Sequence, residues 1–250
     1  MTESIVEIKD LTKIYKTRRG KITAVDQVSF KVFHGEMFGM IGPNGAGKST
    51  IFNMMTTLIK PTSGSIKIAG YDLNKDASKI RRIIGVVPQQ SSLYLDLTAR
   101  ENLQLMGDLY EIPKYLQEER IERFLKLVAL SEHADRYVGG FSGGMKQRLS
   151  VICAMMHDPE ILFWDEPTTG LDPQTRKALW DLALKLKARG KTLIFTTHYM
   201  DEADKLCDRV AIMNSGKLIA LDPPDNLKRN HQGNNLEEVF MHLTGEHIRD

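Results

Sequence analysis

At 250 residues, 42% of them hydrophobic, the chain can bury one compact core or two closely joined lobes. Its net charge of +2, with 26% charged residues, excludes the polybasic balance of a protein that binds nucleic acid or a membrane surface. No apolar run approaches the ~18–20 residues needed to span a bilayer, and MTESIVEIKD at the N-terminus lacks the basic segment and apolar core of a secretory signal. Cys153 and Cys207 lie 54 residues apart without metal-like spacing, and read as buried thiols of a reducing compartment.

The first third reads as β-rich. Val28, Phe30 and Val32 alternate with polar residues, a half-buried strand. After a turn at His34-Gly35, EMFGMIG reads as a buried strand leading into a glycine loop. SIKIAG is a further alternating strand after the turn-forming PTSG. From about residue 90 to 157 the period becomes helical. Ile121, Phe124, Leu125 and Val128 fall at i, i+3, i+4 and i+7 between charged residues, one face of an amphipathic helix. The core resumes at EILFWDE, an apolar strand ending in two carboxylates, followed by a helix from Pro173 to Ala188 with Gly190 as its stop signal. TLIFTTH is another buried strand, and VAIMNSGKLIAL a hairpin turning at Asn214-Ser215-Gly216. In the tail, Leu236, Val239, Phe240 and Leu243 share a helical face that suits docking on the same domain. Strand–helix alternation of this kind predicts a mainly parallel sheet.

Two stretches carry chemistry. GPNGAGKST (Gly42, Pro43, Asn44, Gly45, Ala46, Gly47, Lys48, Ser49, Thr50) contains the full G-x-x-x-x-G-K-[ST] pattern between a strand and a helix. Its glycines let the backbone aim N–H groups at phosphate oxygens, and the helix adds its positive end. Lys48 is then placed for the β- and γ-phosphates and the Ser49 hydroxyl for Mg²⁺. In ILFWDE, Asp165 leaves the end of a buried strand where it can hold the Mg²⁺ shell. Glu166 is expected on the other side of an extended backbone, positioned to polarise an attacking water.

Six motifs in order make the chain resemble the nucleotide-binding subunits of ABC (ATP-binding cassette) transporters along nearly its whole length. GPNGAGKST resembles Walker A, ILFWDE Walker B, FSGGMKQR the signature, TGLD (169–172) the D-loop, TTH (196–198) the switch histidine and VVPQ (86–89) the Q-loop. The resemblance implies an α/β P-loop NTPase with a RecA-like, mainly parallel core, an N-terminal antiparallel β subdomain and an inserted α-helical subdomain. It divides the chain into core with β subdomain (1–89 and 158–222), helical subdomain (90–157) and C-terminal helical tail (223–250).

The resemblance also assigns roles. Gln89 contacts Mg²⁺ or the attacking water, and His198 contacts the γ-phosphate and holds Glu166 and the water. Tyr15, in LTKIYK, stacks on adenine, and Asp172 meets the opposing subunit. Ser142, Gly143 and Gly144 close over ATP bound by a second subunit, predicting a head-to-tail dimer, either a homodimer or a heterodimer with a related cassette. Phe141 and Met145 depart from the commonest signature, which has leucine and glutamine there, and Met145 has no amide to contribute.

Finer similarity in SGGMKQRLS, HYMDEADKLCDRVAIMNSGKLIA and NNLEEVFMHLTG resembles the ATPases of ABC-2-type exporters, daunorubicin-type drug-resistance pumps among them. That subgroup implies a separately encoded multispanning permease and a peripheral place on the cytoplasmic face of the membrane. The expected docking surface is the groove near Gln89 to Leu105, with Leu93, Tyr94 and Leu95 in it. A soluble ABC-type ATPase of a cytosolic assembly system is the alternative.

Overall fold

The computed structural model describes residues 3–18, 20–90 and 92–245. The chain opens with a long antiparallel hairpin, β1 (Ser4–Thr17) and β2 (Gly20–Phe33), then enters the buried strand β3 (Met37–Ile41) and helix α1 (Lys48–Met55). Strands β4 (Ser63–Ile68) and β5 (Tyr71–Asp72) complete a four-stranded sheet in the order β2-β1-β4-β5. β4 already includes Ser63 and Gly64, so the strand begins inside the expected PTSG turn.

Helix α2 (Ala77–Ile83) leads to β6 (Ile84–Val87), and three helices follow in succession: α3 (Ala99–Leu109), α4 (Lys114–Leu127) and α5 (Gly143–Ala154). α3 starts at a complete capping box, Thr98 accepting from Glu101 N–H while the Glu101 carboxylate accepts from Thr98 N–H at 2.7 Å. The chain returns through β7 (Ile161–Asp165), α6 (Pro173–Ala188), β8 (Thr192–Thr197), α7 (Met200–Leu206), β9 (Arg209–Asn214) and β10 (Lys217–Asp222). It ends in α8 (Pro224–Asn230) and α9 (Leu236–Thr244). Helix α6 has the bounds expected from its sequence. Asp172 caps its first turn and Pro173 stands at its first position, where the missing N–H costs nothing.

The six-stranded sheet runs β10-β9-β3-β8-β7-β6, parallel throughout except for the β9–β10 hairpin. Strands at its centre are apolar on both faces because both are covered. In β7, Ile161 and Phe163 join the core shared with β1, β2, β4 and α1, whereas Leu162 and Trp164 join the core under α5, α6, α7 and α9. The period of two along the strand thus feeds two separate hydrophobic layers. On the first side Phe163 meets Phe52 of α1 edge-to-face, with ring centroids 5.8 Å apart. On the second, the tail docks as expected: Leu236, Val239 and Phe240 are buried, and Leu243 packs at the margin. Both cysteines are free and buried, and burial pushes the Cys153 thiol up to about 12.

Candidate active site

The site lies at the carboxyl ends of the parallel strands, where loops from β3, β6, β7 and β8 converge. The loop after β3 bends through two positions that only glycine tolerates. Gly42 has φ 147°, and a Cβ there would sit 2.2 Å from the Met213 carbonyl. Gly47 has φ 100°, and its Cβ would sit 2.5 Å from the Ala24 carbonyl. The β9–β10 turn braces this loop. Ser215 and Gly216 form a two-residue connection with φ of 48° and 79°, as a tight hairpin requires. Gly216 then donates to the Ala46 carbonyl at 3.1 Å and accepts from Asp26 N–H at 2.8 Å.

The first helical bond of α1 runs from Ile51 N–H to the Gly47 carbonyl at 3.0 Å, leaving the preceding amides facing the mouth of the loop. An open pocket of ≈ 240 Å³ results, lined by Ala24, Asn44 through Thr50, and Glu166. Lys48 is buried, its ammonium donating to the carbonyls of Gly42 at 2.7 Å and Pro43 at 3.1 Å. Burial lowers its pKa, opposed by the charges of Glu166 and Asp165.

β7 and β8 deliver the acidic side of the pocket. Asp165 lies opposite Thr196 in the parallel register, and the Thr196 hydroxyl donates to its Oδ1 at 2.5 Å. Burial pushes the Asp165 carboxyl up, with the Thr196 hydrogen bond and Lys48 pulling it back and Glu166 adding to the rise. The expectation of an extended backbone at Glu166 is corrected: φ is 45°, in the left-handed region. The reason is a pair of bonds from Glu166 N–H to the Thr196 carbonyl and to its hydroxyl, both 3.1 Å, which turn the chain out of the strand one residue after Asp165. The turn aims Glu166 Oε2 at a polar cluster. It accepts from Gln89 Nε2 at 3.1 Å and from the Thr169 hydroxyl at 3.2 Å, and His198 Nδ1 stands 3.3 Å away. The fold therefore joins Gln89, Glu166 and His198, which lie far apart in sequence.

Thr196 and Thr169 are the members that sequence reasoning passed over. The usable signal for Thr196 was its place on β8, one strand over from Asp165 and two residues before His198. Thr196→Val removes the hydroxyl shared by both acidic residues at a fully buried position. It should cost about 1–3 kcal/mol and lower Tm by roughly 2–4 °C per kcal/mol, read by thermal denaturation; an unchanged Tm would show that this brace carries no weight.

Other expected residues lie outside the pocket. Tyr15 pairs with Ile22 on the β1–β2 hairpin, the hairpin that also supplies Ala24; its ring is half exposed, with Lys13 Nζ 5.3 Å from the centroid. Ser142 caps α5, its hydroxyl accepting from Met145 N–H at 3.3 Å, and neither it nor the following glycines line the phosphate-loop pocket. A Cβ on Gly144 would lie 2.4 Å from Thr175 Cγ2, so the start of α5 packs closely on the start of α6. Met145 packs, half-buried, at the margin of the core. Asp172 is engaged within its own chain, accepting from Thr175 N–H at 3.0 Å and the Thr175 hydroxyl at 2.6 Å, bonds that hold its carboxyl below the usual range. In the expected docking groove Leu93 is half-buried, whereas Tyr94 and Leu95 are 60% and 49% exposed. Ser91 of that stretch lies outside the described residues, as do residues 1, 2, 19 and 246–250.

Ser49 and Asp165 offer hard oxygen donors of the kind Mg²⁺ takes. Among the described residues no three His, Cys, Asp or Glu side chains cluster as a metal cage. That combination suits an ion arriving with phosphate oxygens and water rather than one held by protein alone. No helix among the described residues is long and apolar enough to cross a membrane.

Comparison with known proteins agrees with this geometry. Residues 25–169 match the family described as ABC transporter. The probable multidrug ABC transporter ATP-binding protein YbhF of Escherichia coli (strain K12) is 41% identical over 246 residues, covering 96% of this chain but 42% of that protein, so the chain spans less than half of its length. The linearmycin resistance ATP-binding protein LnrL of Bacillus subtilis (strain 168) is 41% identical over 223 residues, covering 89% of this chain and 70% of that protein. Among solved structures, the dimeric ATP-binding cassette MJ0796, in a post-hydrolysis state bound to ADP and Pi, superposes with a TM-score of 0.79 at 32% identity, covering 87% of this chain and 98% of that one. With a glycine-rich loop, an acidic strand end and His198 gathered in one cleft of an α/β P-loop fold, and with relatives of this kind along its length, the chain belongs to the ABC transporter family as an ATP-binding cassette.

Proposed function

We propose that the chain is the ATP-hydrolysing subunit of an ABC exporter, driving transport through a separately encoded, ABC-2-type permease by ATP-dependent head-to-tail dimerisation. The observation that carries this reading is the single Glu166 carboxylate oxygen that accepts from Gln89 and Thr169 and has His198 Nδ1 3.3 Å away, at the rim of the phosphate-loop pocket. A carboxylate oxygen so held, at the edge of that pocket, suits the activation of a water beside a γ-phosphate.

The free N–H groups of the Gly42–Thr50 loop and Lys48 cradle the phosphates and stabilise the charge that develops on them. Ser49, Asp165 and Gln89 are the residues that would hold Mg²⁺, which when bound supplies charge neutralisation at the phosphate oxygens. Glu166 orients the water and takes its proton, while Gln89 and His198 keep that carboxylate from swinging away. Tyr15 presents a ring to the adenine.

Ser142, Gly143 and Gly144 lie away from their own chain's pocket and suit the γ-phosphate held by a partner cassette, with the start of α5 adding its positive end. Asp172 meets the opposing subunit while it caps α6. In this reading residues 1–89 and 158–222 form the catalytic core with its β subdomain, 90–157 the helical subdomain, and 223–250 a docked tail. The permease is received in the groove beside Leu93, with Tyr94 and Leu95 at its rim, which places the protein on the cytoplasmic face of the membrane.

Two measurements on the full chain test this. Purified protein should release phosphate from ATP, and tagged protein drawn from detergent-solubilised native membranes should bring with it a multispanning membrane protein. Hydrolysis together with recovery of soluble scaffold proteins alone would replace the transporter with the assembly ATPase.

A further inference from the structure

Behind the Glu166 turn, on the side away from the phosphate loop, lies a second polar group that the reaction as described does not use. Glu202, on α7, is only 1% exposed. One of its oxygens accepts from Trp180 Nε1 of α6 at 2.9 Å. Its other oxygen, Oε2, is buried without a hydrogen-bond partner, and so are Trp164 Nε1 and Thr168 Oγ1. All three residues line one crevice, together with Trp180, and it has ≈ 10 Å³ of room for a water centre.

Three orphaned polar groups on one small crevice are costly unless something joins them, since each gives up its bonds to water and gains none in return. A single water within reach of all three would meet their needs: it would accept from the indole N–H, donate to the carboxylate, and exchange a hydrogen bond with the hydroxyl. The space is about one probe sphere, the lower limit for a buried water with two to four polar partners.

The residues brought together are the immediate neighbours of the reactive ones. Trp164 precedes Asp165, and Thr168 precedes the Thr169 that donates to Glu166. Glu202 lies four residues beyond His198, and the rings of His198 and Tyr199 meet at a tilt of 39° with centroids 4.1 Å apart. Tyr199 in turn lies under the Arg176 guanidinium at 4.4 Å. We propose that Glu202 is a positioning residue: through Trp180 and through a buried water shared with Trp164 and Thr168, it locks the turn carrying Glu166 to the start of α7 and so sets the spacing between Glu166 and His198.

This inference rests on the ATPase reading above, and its test separates the two. Steady-state hydrolysis is measured for wild type, Glu202→Leu, Glu202→Gln and Trp180→Phe, with kcat expressed per nucleotide-binding site so that misfolded protein does not count. Glu202→Leu should lower kcat per site at least ten-fold with KM for ATP within two-fold. Glu202→Gln still accepts from Trp180 and should recover to within about three-fold of wild type. Trp180→Phe, which removes one N–H and little volume, should fall between them, and it decides the matter if the leucine variant does not fold. Unchanged kcat per site in the leucine and phenylalanine variants overturns the proposal. A crystal structure of the wild-type chain supplies the independent arm: a water within hydrogen-bond reach of Trp164 Nε1, Thr168 Oγ1 and Glu202 Oε2 supports the brace, and a dry crevice overturns it. Should wild type bind ATP without hydrolysing it, the ATPase reading falls, while the crystal arm still judges the brace.

Discussion

Glu166→Gln should reduce ATP turnover at least 100-fold while leaving ATP affinity within a few-fold of wild type. The amide has the shape of the carboxylate and can still accept from Gln89 Nε2 and the Thr169 hydroxyl, the two bonds that orient the side chain. It cannot take a proton, and a positioned general base contributes typically about 10²–10⁴-fold to rate. The backbone at Glu166 is held at φ 45° by bonds from its own N–H to Thr196, so the substitution does not disturb the turn. Phosphate release and equilibrium nucleotide binding, measured on the same preparation, check both halves. Turnover at the wild-type level would remove Glu166 from the role of base.

The second large effect concerns assembly. In the Glu166→Gln background, where bound ATP persists, adding ATP should shift the protein from monomer to dimer on sizing, and Ser142→Arg should abolish that shift. Ser142 and the glycines after it do not line their own chain's phosphate pocket, so in the proposed head-to-tail dimer the bulk and charge of arginine would fall on a partner's nucleotide. Part of the change falls within the chain, because Ser142 caps α5. Losing a cap costs about 0.5–2 kcal/mol with alanine but only a few tenths with glycine. Ser142→Gly therefore serves as control: it should leave Tm nearly unchanged while weakening the dimer through loss of the hydroxyl. Dimers that persist undiminished in the arginine variant would refute the cross-subunit role.

A good deal of this protein is legible before any folding is considered. GPNGAGKST announces its chemistry because a phosphate loop is a local object: glycines at set positions, one lysine and a helix start within nine consecutive residues. The apolar run of β7 and the Pro173 start and Gly190 stop of α6 are equally local, and both elements form where those signals place them. The short helices α2, α7 and α8, each of 7 residues, carry too few turns for a periodic signal and emerge only in the folded chain.

What the linear order could not reveal is how side chains from different strands meet. Glu166 was expected on an extended backbone because nothing in ILFWDE announces a left-handed residue; the bonds that impose it come from Thr196, 30 positions away. The common oxygen of Gln89, Thr169 and His198 likewise depends on the parallel order β8-β7-β6, which sets three loop ends side by side. The same holds for the buried Glu202 group, drawn from β7, the turn after it, α6 and α7. Short-range sterics, glycine freedom and hydrophobic period are written residue by residue, so composition and pattern decide the elements and the phosphate loop. Hydrogen bonds between residues brought together by sheet register exist only after the layers have packed, and it is those bonds that aim the carboxylate on which the proposed reaction turns.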